Sequence, residues 1–354
     1  MAPVQHPDVG KRLGGKYELV ALAGEGGMAE VFRAITHGAA GFRRSVAVKQ
    51  ILEHLSEDPQ FVAMFVEEAR VTATMTHPNI VQIHDFDEDD GHFYLVMEWV
   101  DGVNLFEWQR AHHGLEEPTP WHLVTAIGIE VLKALGAAHE NTDEEGRKVP
   151  VYHRDVTPQN ILVGSNGVVK LTDFGLARAM DRARMTQPEM VKGKLSYLAP
   201  ELTAGDDPSV KTDLFGVGIV LWETLVGRKL FDGSGPLEIL TKVRDAKVPP
   251  LREERPDVPR TLHDVVHRAL AKNPDDRYRS ARSMVRALAN ILRMTPESTS
   301  ADVLAKTVRR SQEHLERERV EAEAKETGEV LASLEDEVDT LEDFGALPLT
   351  RKKS

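Results

Sequence analysis

The chain has 354 residues, 41% of them hydrophobic, and a formal net charge of -13. That length suffices for two lobes and an appendage, and the acidic balance argues against nucleic acid or anionic lipid as main partners. The absence of cysteine excludes disulfides, Cys-ligated zinc and a thiol nucleophile, and fits a reducing, cytoplasmic setting. Residues 1–16 form an N-terminal extension without the apolar core of a signal peptide. No membrane span is expected: the best apolar stretch, Leu214 to Val226, contains Glu223 and is too short, and reads as a buried helix.

Tyr17-Glu18-Leu19-Val20 opens an alternating strand pattern. Gly24-Glu25-Gly26-Gly27 follows between two predicted strands. Glycines let such a hairpin lie close over a polyphosphate with backbone N–H groups as donors, although a glycine-rich hairpin alone is common. Val46-Ala47-Val48-Lys49 is a short strand whose lysine stands eighteen residues after Val31. A lysine on a rigid strand places one compact positive charge, and it needs a carboxylate to hold it. The spacing predicts a helix over 58–74, with Phe61, Phe65 and Val66 on one side. It offers Glu67 and Glu68, about 100° apart around the axis. Phe93 to Met97 is a further strand, which Asp101-Gly102 breaks. A long apolar helix over 121–139 comes next, and helices dominate to about Arg293. A strand-rich part over 17–100 followed by a helical part over 101–293 is an α+β arrangement.

The stretch Tyr152 to Leu162 holds Asp155 and Asn160 five residues apart in a short loop. Asp173-Phe174-Gly175 comes thirteen residues after Asn160. Two acids and an amide so arranged can hold a hydroxyl and a magnesium ion beside a phosphate. A lone Asp-x-x-x-x-Asn is more often a capped loop, so the joint pattern carries the reading. In order and spacing these motifs resemble the eukaryotic-type (Hanks-type) Ser/Thr protein kinases, bacterial subgroup, over about residues 17–293.

The resemblance implies a bilobal kinase fold and transfer of the γ-phosphate of ATP, with Mg2+, to Ser/Thr hydroxyls of protein substrates. Gly24, Glu25, Gly26 and Gly27 would then cover the phosphates, and Lys49 would contact two of them while Glu68 holds it. Val31, Ala47 and Leu162 would sandwich the adenine, backbone groups near Glu98 and Val100 would pair its edge, and Asn104 would lie near the ribose. Asp155 would accept a hydrogen bond from the substrate hydroxyl. Asn160 and Asp173 would hold magnesium, and Phe174 would pack under the helix carrying Glu68. Glu201 of Ala199-Pro200-Glu201, its partner Arg277, and Asp213 beneath the loop would be structural. Arg154 would clamp a phosphate on the activation segment, where Thr186 is the favoured autophosphorylation site and Ser196 the other candidate.

Two departures stand out. Where Ser/Thr members usually carry Lys, two residues after the catalytic Asp, this chain has Thr157. Where they usually carry Thr, after the Gly preceding the docking loop, it has Lys194. The expectation is that the Lys194 ammonium replaces the missing charge beside Asp155, with Thr157 as its hydrogen-bonding neighbour. The third loop glycine is also replaced, by Ala29. The alternative is a pseudokinase scaffold. Thr157 speaks for it, whereas the presence of Lys49, Glu68, Asp155, Asn160 and Asp173 speaks against it. Residues 294–354 are dense in Glu, Arg and Lys, with Leu304, Val308 and Leu315 at patchy helical spacing. They read as a charged, partly helical or disordered tail that could be solvated, meet a partner or form a homodimer.

Overall fold

The computed structural model describes residues 6–143, 145–174 and 194–344, apart from the side chains of Met64 and of 326–344. Its N-terminal lobe is a six-stranded antiparallel sheet in the order β1-β2-β3-β4-β6-β5. The strands are β1 (Arg12–Leu13), β2 (Tyr17–Glu25), β3 (Ala29–His37), β4 (Arg43–Ile51), β5 (Ile83–Asp89) and β6 (His92–Glu98). Alternation along β4 decides what faces what. Val46 and Val48 join Phe32 and Ala34 on one side. Ala47 and Ile51 face the other side, where Phe65 and Ala69 of helix α1 (Pro59–Ala73) cover them. Lys49 shares the parity of Ala47 and Ile51, so pleating alone aims it toward α1.

Helix α1 starts where the sequence caps it: the Asp58 side chain accepts from the Gln60 amide, and Pro59 fills the first turn. Its buried face is Phe65, Glu68, Ala69 and Thr72, a spacing of three, four and seven that defines one stripe. Glu67 lies off that stripe and pairs with Arg70 at the surface.

The chain crosses to the second lobe after Glu98. A small sheet, β7 (Gly102–Asn104), β8 (Ile161–Gly164) and β9 (Val169–Leu171), lies at the junction. The longer helices of this lobe are α2 (Leu105–Gly114), α3 (Trp121–His139), α4 (Val210–Val226), α5 (Pro236–Asp245), α6 (Arg260–Ala269) and α7 (Ala281–Arg293). By length and composition α3 is apolar enough to cross a bilayer, which differs from the expectation that no stretch is long enough to do so. It packs instead against α4 and α7, with Leu123, Ile127, Leu132 and Leu135 in the core. Helix α4 is capped by Ser209 and stopped by Gly227 in a left-handed conformation.

The tail differs from expectation. Residues 301–344 form one helix, α8 (Ala301–Phe344), and its first turns dock on the second lobe rather than standing in solvent. Leu304, Ala305, Val308 and Ser311 are buried. The indole of fully buried Trp108 donates to the Thr307 hydroxyl at 3.1 Å, and Arg310 makes a two-pronged pair with Glu117. Gln312 reaches the Gly102 carbonyl at 3.3 Å. The close approach needs Gly167, at φ +80°, because a Cβ there would run into the Ala301 carbonyl. The helical spacing of Leu304 and Val308 was visible in the sequence, but the surface that receives them was not.

Docking gives a stability prediction. Val308→Asp places an unpaired charge in a buried contact and is expected to destabilise the chain by about 3 kcal/mol or more. Val320→Asp, at a position 53% exposed, is expected to stay within about 0.5 kcal/mol of the parent in denaturant unfolding.

Candidate active site

The lobes enclose a cavity of about 600 Å³, a size that suits a nucleotide-sized ligand. Its roof is the β2–β3 hairpin. The turn Gly26-Gly27-Met28 is closed by the Gly26 amide donating to the Ala29 carbonyl at 3.0 Å. Gly24, Glu25, Gly26 and Gly27 all line the cavity, as do Val31, Ala47 and Leu162.

The cavity's inner wall is a chain of charges. The Lys49 ammonium lies 3.1 Å from Glu68 Oε1 and 2.7 Å from Asp173 Oδ1. Lys49 and Glu68 are buried, whereas the Asp173 side chain is about a quarter exposed at the cavity wall. Desolvation pushes the Glu68 carboxyl up to about 7, against the opposing pull of Lys49. Desolvation opposes the charge on Lys49, but the two carboxylates outweigh it and hold its pKa above the ordinary value. The same lysine holds the Asp173 carboxyl below the usual carboxylate range despite burial. The electrostatics thus favour Lys49 charged and Asp173 ionised, with Glu68 poised between its two forms.

Asp155 sits opposite, in the loop before the turn Pro158–Asn160. Its Oδ2 accepts from Asn160 Nδ2 at 3.2 Å and from Lys194 Nζ at 2.9 Å. Among the described residues both bonds fall on Oδ2, which leaves Oδ1 to an incoming hydroxyl. Asn160 Nδ2 also donates to the Asp155 carbonyl at 2.9 Å, which turns the amide oxygen away from the loop. The Thr172 amide donates to the Asn160 carbonyl at 3.0 Å and so brings Asp173 alongside.

This loop is held from below. Arg154 has φ +66° and Asp173 φ +63°, left-handed conformations that cost a non-glycine residue roughly 1–3 kcal/mol each. Asp213, 1% exposed on α4, compensates at Arg154. Its carboxylate accepts from the backbone amides of His153 and Arg154 at 3.0 and 2.8 Å, and meets His139 at 2.7 Å. His153 is structural in kind: its ring bonds the Thr172 carbonyl at 2.9 Å and meets Phe174 edge-on.

Beyond the loop, Glu201 and Arg277 form a two-pronged pair at 2.7 and 2.8 Å, with Arg277 fully buried over Phe215. Removing one partner of such a pair costs about 3–5 kcal/mol. Glu223, the lone acid in the apolar part of α4, accepts from Tyr197 at 2.6 Å and from the Leu230 amide at 2.9 Å. It thereby anchors residues 194–199, a role not foreseen from the sequence, although a carboxylate inside an apolar helix was the available sign.

The structure narrows what three expected residues can offer. Asn104 caps α2 in a reciprocal box with Glu107, at 2.9 Å both ways, which engages its side-chain oxygen; only its amide nitrogen still offers a group to the cavity. The Glu98 amide is engaged by the Gln82 carbonyl at 2.8 Å, and its side chain by Lys170 at 2.9 Å. Backbone pairing there falls to the Glu98 carbonyl and to Val100. Ser196 is fully buried, so as placed its hydroxyl is out of reach of a modifying enzyme. Thr186 and Gly175 lie outside the described residues.

A two-lobed fold with a Lys–Glu–Asp charge chain facing an Asp–Asn loop is that of the phosphoryl-transferring enzymes. Comparison with known proteins agrees. The model of the protein kinase domain matches residues 17–288, and the chain belongs to that family. It is 38% identical over 278 residues to the tyrosine-protein kinase MasK of Myxococcus xanthus, covering 78% of this chain and 43% of that one. It is 35% identical over 278 residues to the serine/threonine-protein kinase PrkC of Bacillus subtilis, covering 78% and 40%. The chain thus spans about two fifths of the length of these relatives. Among solved structures, the Mycobacterium tuberculosis PknI kinase domain superposes with a TM-score of 0.60 at 30% identity, covering 81% of this chain and 99% of that one.

The raised Glu68 pKa yields a signed prediction. Its folded value, about 7, exceeds the ordinary 4.5, so its contribution to stability is full below about 4.5 and is lost as pH rises through about 7. The unfolding free energy of the parent relative to Glu68→Gln is therefore expected to fall across that window and level off above it. A difference that instead grows with pH would mean that Glu68 is ionised throughout.

Proposed function

We propose that the chain is an active protein kinase that transfers the γ-phosphate of ATP to Ser or Thr hydroxyls, including one in its own activation segment. The observation that carries this reading is the placement of Asp155 and Asn160 in one cavity with the chain Asp173–Lys49–Glu68. Asp155 Oδ1 orients the acceptor hydroxyl, and Lys49 contacts the phosphates in the position Glu68 sets. The glycine hairpin lies over the phosphates, and Val31, Ala47 and Leu162 bracket the base. The oxygens of Asn160 and Asp173 fit Mg2+, an ion that prefers oxygen ligands. That ion would neutralise phosphate charge when bound. Arg154, in its left-handed loop position, is the proposed clamp for a phosphate on Thr186.

A second reading concerns the acceptor. The relationship to a protein named as a tyrosine kinase, together with Thr157, favours testing tyrosine as well.

Incubation with ATP and Mg2+, followed by phosphosite mapping, tests both readings. Phosphate on Ser or Thr, Thr186 among them, is expected. Asp155→Asn is expected to lower the rate by about 10²-fold or more. Label on tyrosine alone would transfer the chain to the second reading, and no transfer at all would leave a scaffold.

A further inference from the structure

Lys194 stands 2.9 Å from the carboxylate that receives the acceptor hydroxyl. It lines the same cavity as Lys49, Asn160 and Asp173. Lys49 is engaged by Glu68 and Asp173. Thr157, two residues after Asp155, is 6% exposed and carries no charge. An acceptor oxygen held by Asp155 must lie about 3–3.5 Å from the phosphorus it attacks. A cation in contact with Asp155 is therefore close to the oxygens of the moving phosphoryl group.

We propose that Lys194 is a catalytic residue: its ammonium stabilises the phosphoryl group in transit, and the segment 194–199, not the loop around Asp155, delivers it. The inference rests on the kinase reading above. In the step, the acceptor oxygen–phosphorus bond forms and the bond from the γ-phosphorus to the bridging oxygen breaks. The electron pair leaves with ADP, and the hydroxyl proton passes to Asp155. Lys194 keeps its proton and acts by charge alone.

The delivery has a structural basis. Lys194 opens a turn in which the Tyr197 amide donates to its carbonyl at 3.1 Å. Leu195 and Ser196 are buried, and Tyr197 is tied to Glu223 at 2.6 Å. A charge mounted on the Asp155 loop would be fixed by Asp213. A charge mounted on residues 194–199 is in place only when that segment is seated. The chemical step is thereby made conditional on the seating of that segment.

The test is turnover at saturating Mg-ATP, with the affinity for a nonhydrolysable ATP analogue and the thermal midpoint measured on the same samples. Lys194→Ala is expected to lower kcat by about 10²-fold while analogue affinity changes by less than about threefold. Lys194→Arg, and Thr157→Lys placed in a Lys194→Thr background, are each expected to recover about tenfold or more. Parental kcat in Lys194→Ala overturns the inference. So does a loss that neither charge-restoring variant recovers, or one that tracks the thermal midpoint. A parent chain that transfers no phosphate would instead overturn the kinase reading itself.

Discussion

The site depends on one buried ammonium. Lys49 is bonded to Glu68 from α1 and to Asp173 from the segment after β9. A lysine with so little solvent would lose its proton without such partners. Two carboxylates buried together would repel and protonate without the lysine. Each charge is thus tolerable only in company with the others, and the three sit on elements from both lobes. Their mutual dependence fixes the position of α1 relative to the sheet and closes the back of the cavity.

The second lobe answers with carboxylates of its own. Asp213 holds a left-handed turn at Arg154, Glu201 neutralises Arg277 in the core, and Glu223 ties down Tyr197. Asp213 and Glu223 join irregular segments to helix α4, and Glu201 joins its own segment to Arg277. The loop carrying Asp155 and the segment carrying Lys194 are therefore braced by different residues of one helix, and Lys194 bonds the loop at Asp155 Oδ2. Helix α8 adds a third brace behind the junction, through Gln312 on Gly102 and Thr307 on Trp108.

Much of this was legible in the residues. The alternation along β4 aims Lys49 at α1, and the bounds of α1 and α3 follow from Asp58-Pro59 and from an apolar run ending at His139. Glu68 could be preferred over Glu67 only by motif spacing, because an apolar stripe does not flag a charged residue as buried. Its place in the stripe became visible once Phe65, Ala69 and Thr72 were seen beside it. Asn104-x-x-Glu107 is also a capping signature, which the expectation of a ribose contact at Asn104 did not include. The pairing of Lys194 with Asp155 joins residues 39 positions apart. It was suggested by the exchanged residue types, and periodicity gives no access to such a contact. The docking of α8 was hidden for the same reason: Leu304 and Val308 announce a face, whereas Trp108, Glu117 and Gly167, which receive it, lie far away in sequence.

On the proposed reading, Asn160 and Asp173 serve a magnesium–nucleotide complex. Calorimetric titration of the full chain with a nonhydrolysable ATP analogue, with and without Mg2+, tests it most directly. Magnesium is expected to tighten binding to the parent chain and to lose that effect in Asp173→Asn. Affinity that is indifferent to magnesium in the parent, or equally enhanced by it in Asp173→Asn, would contradict the account.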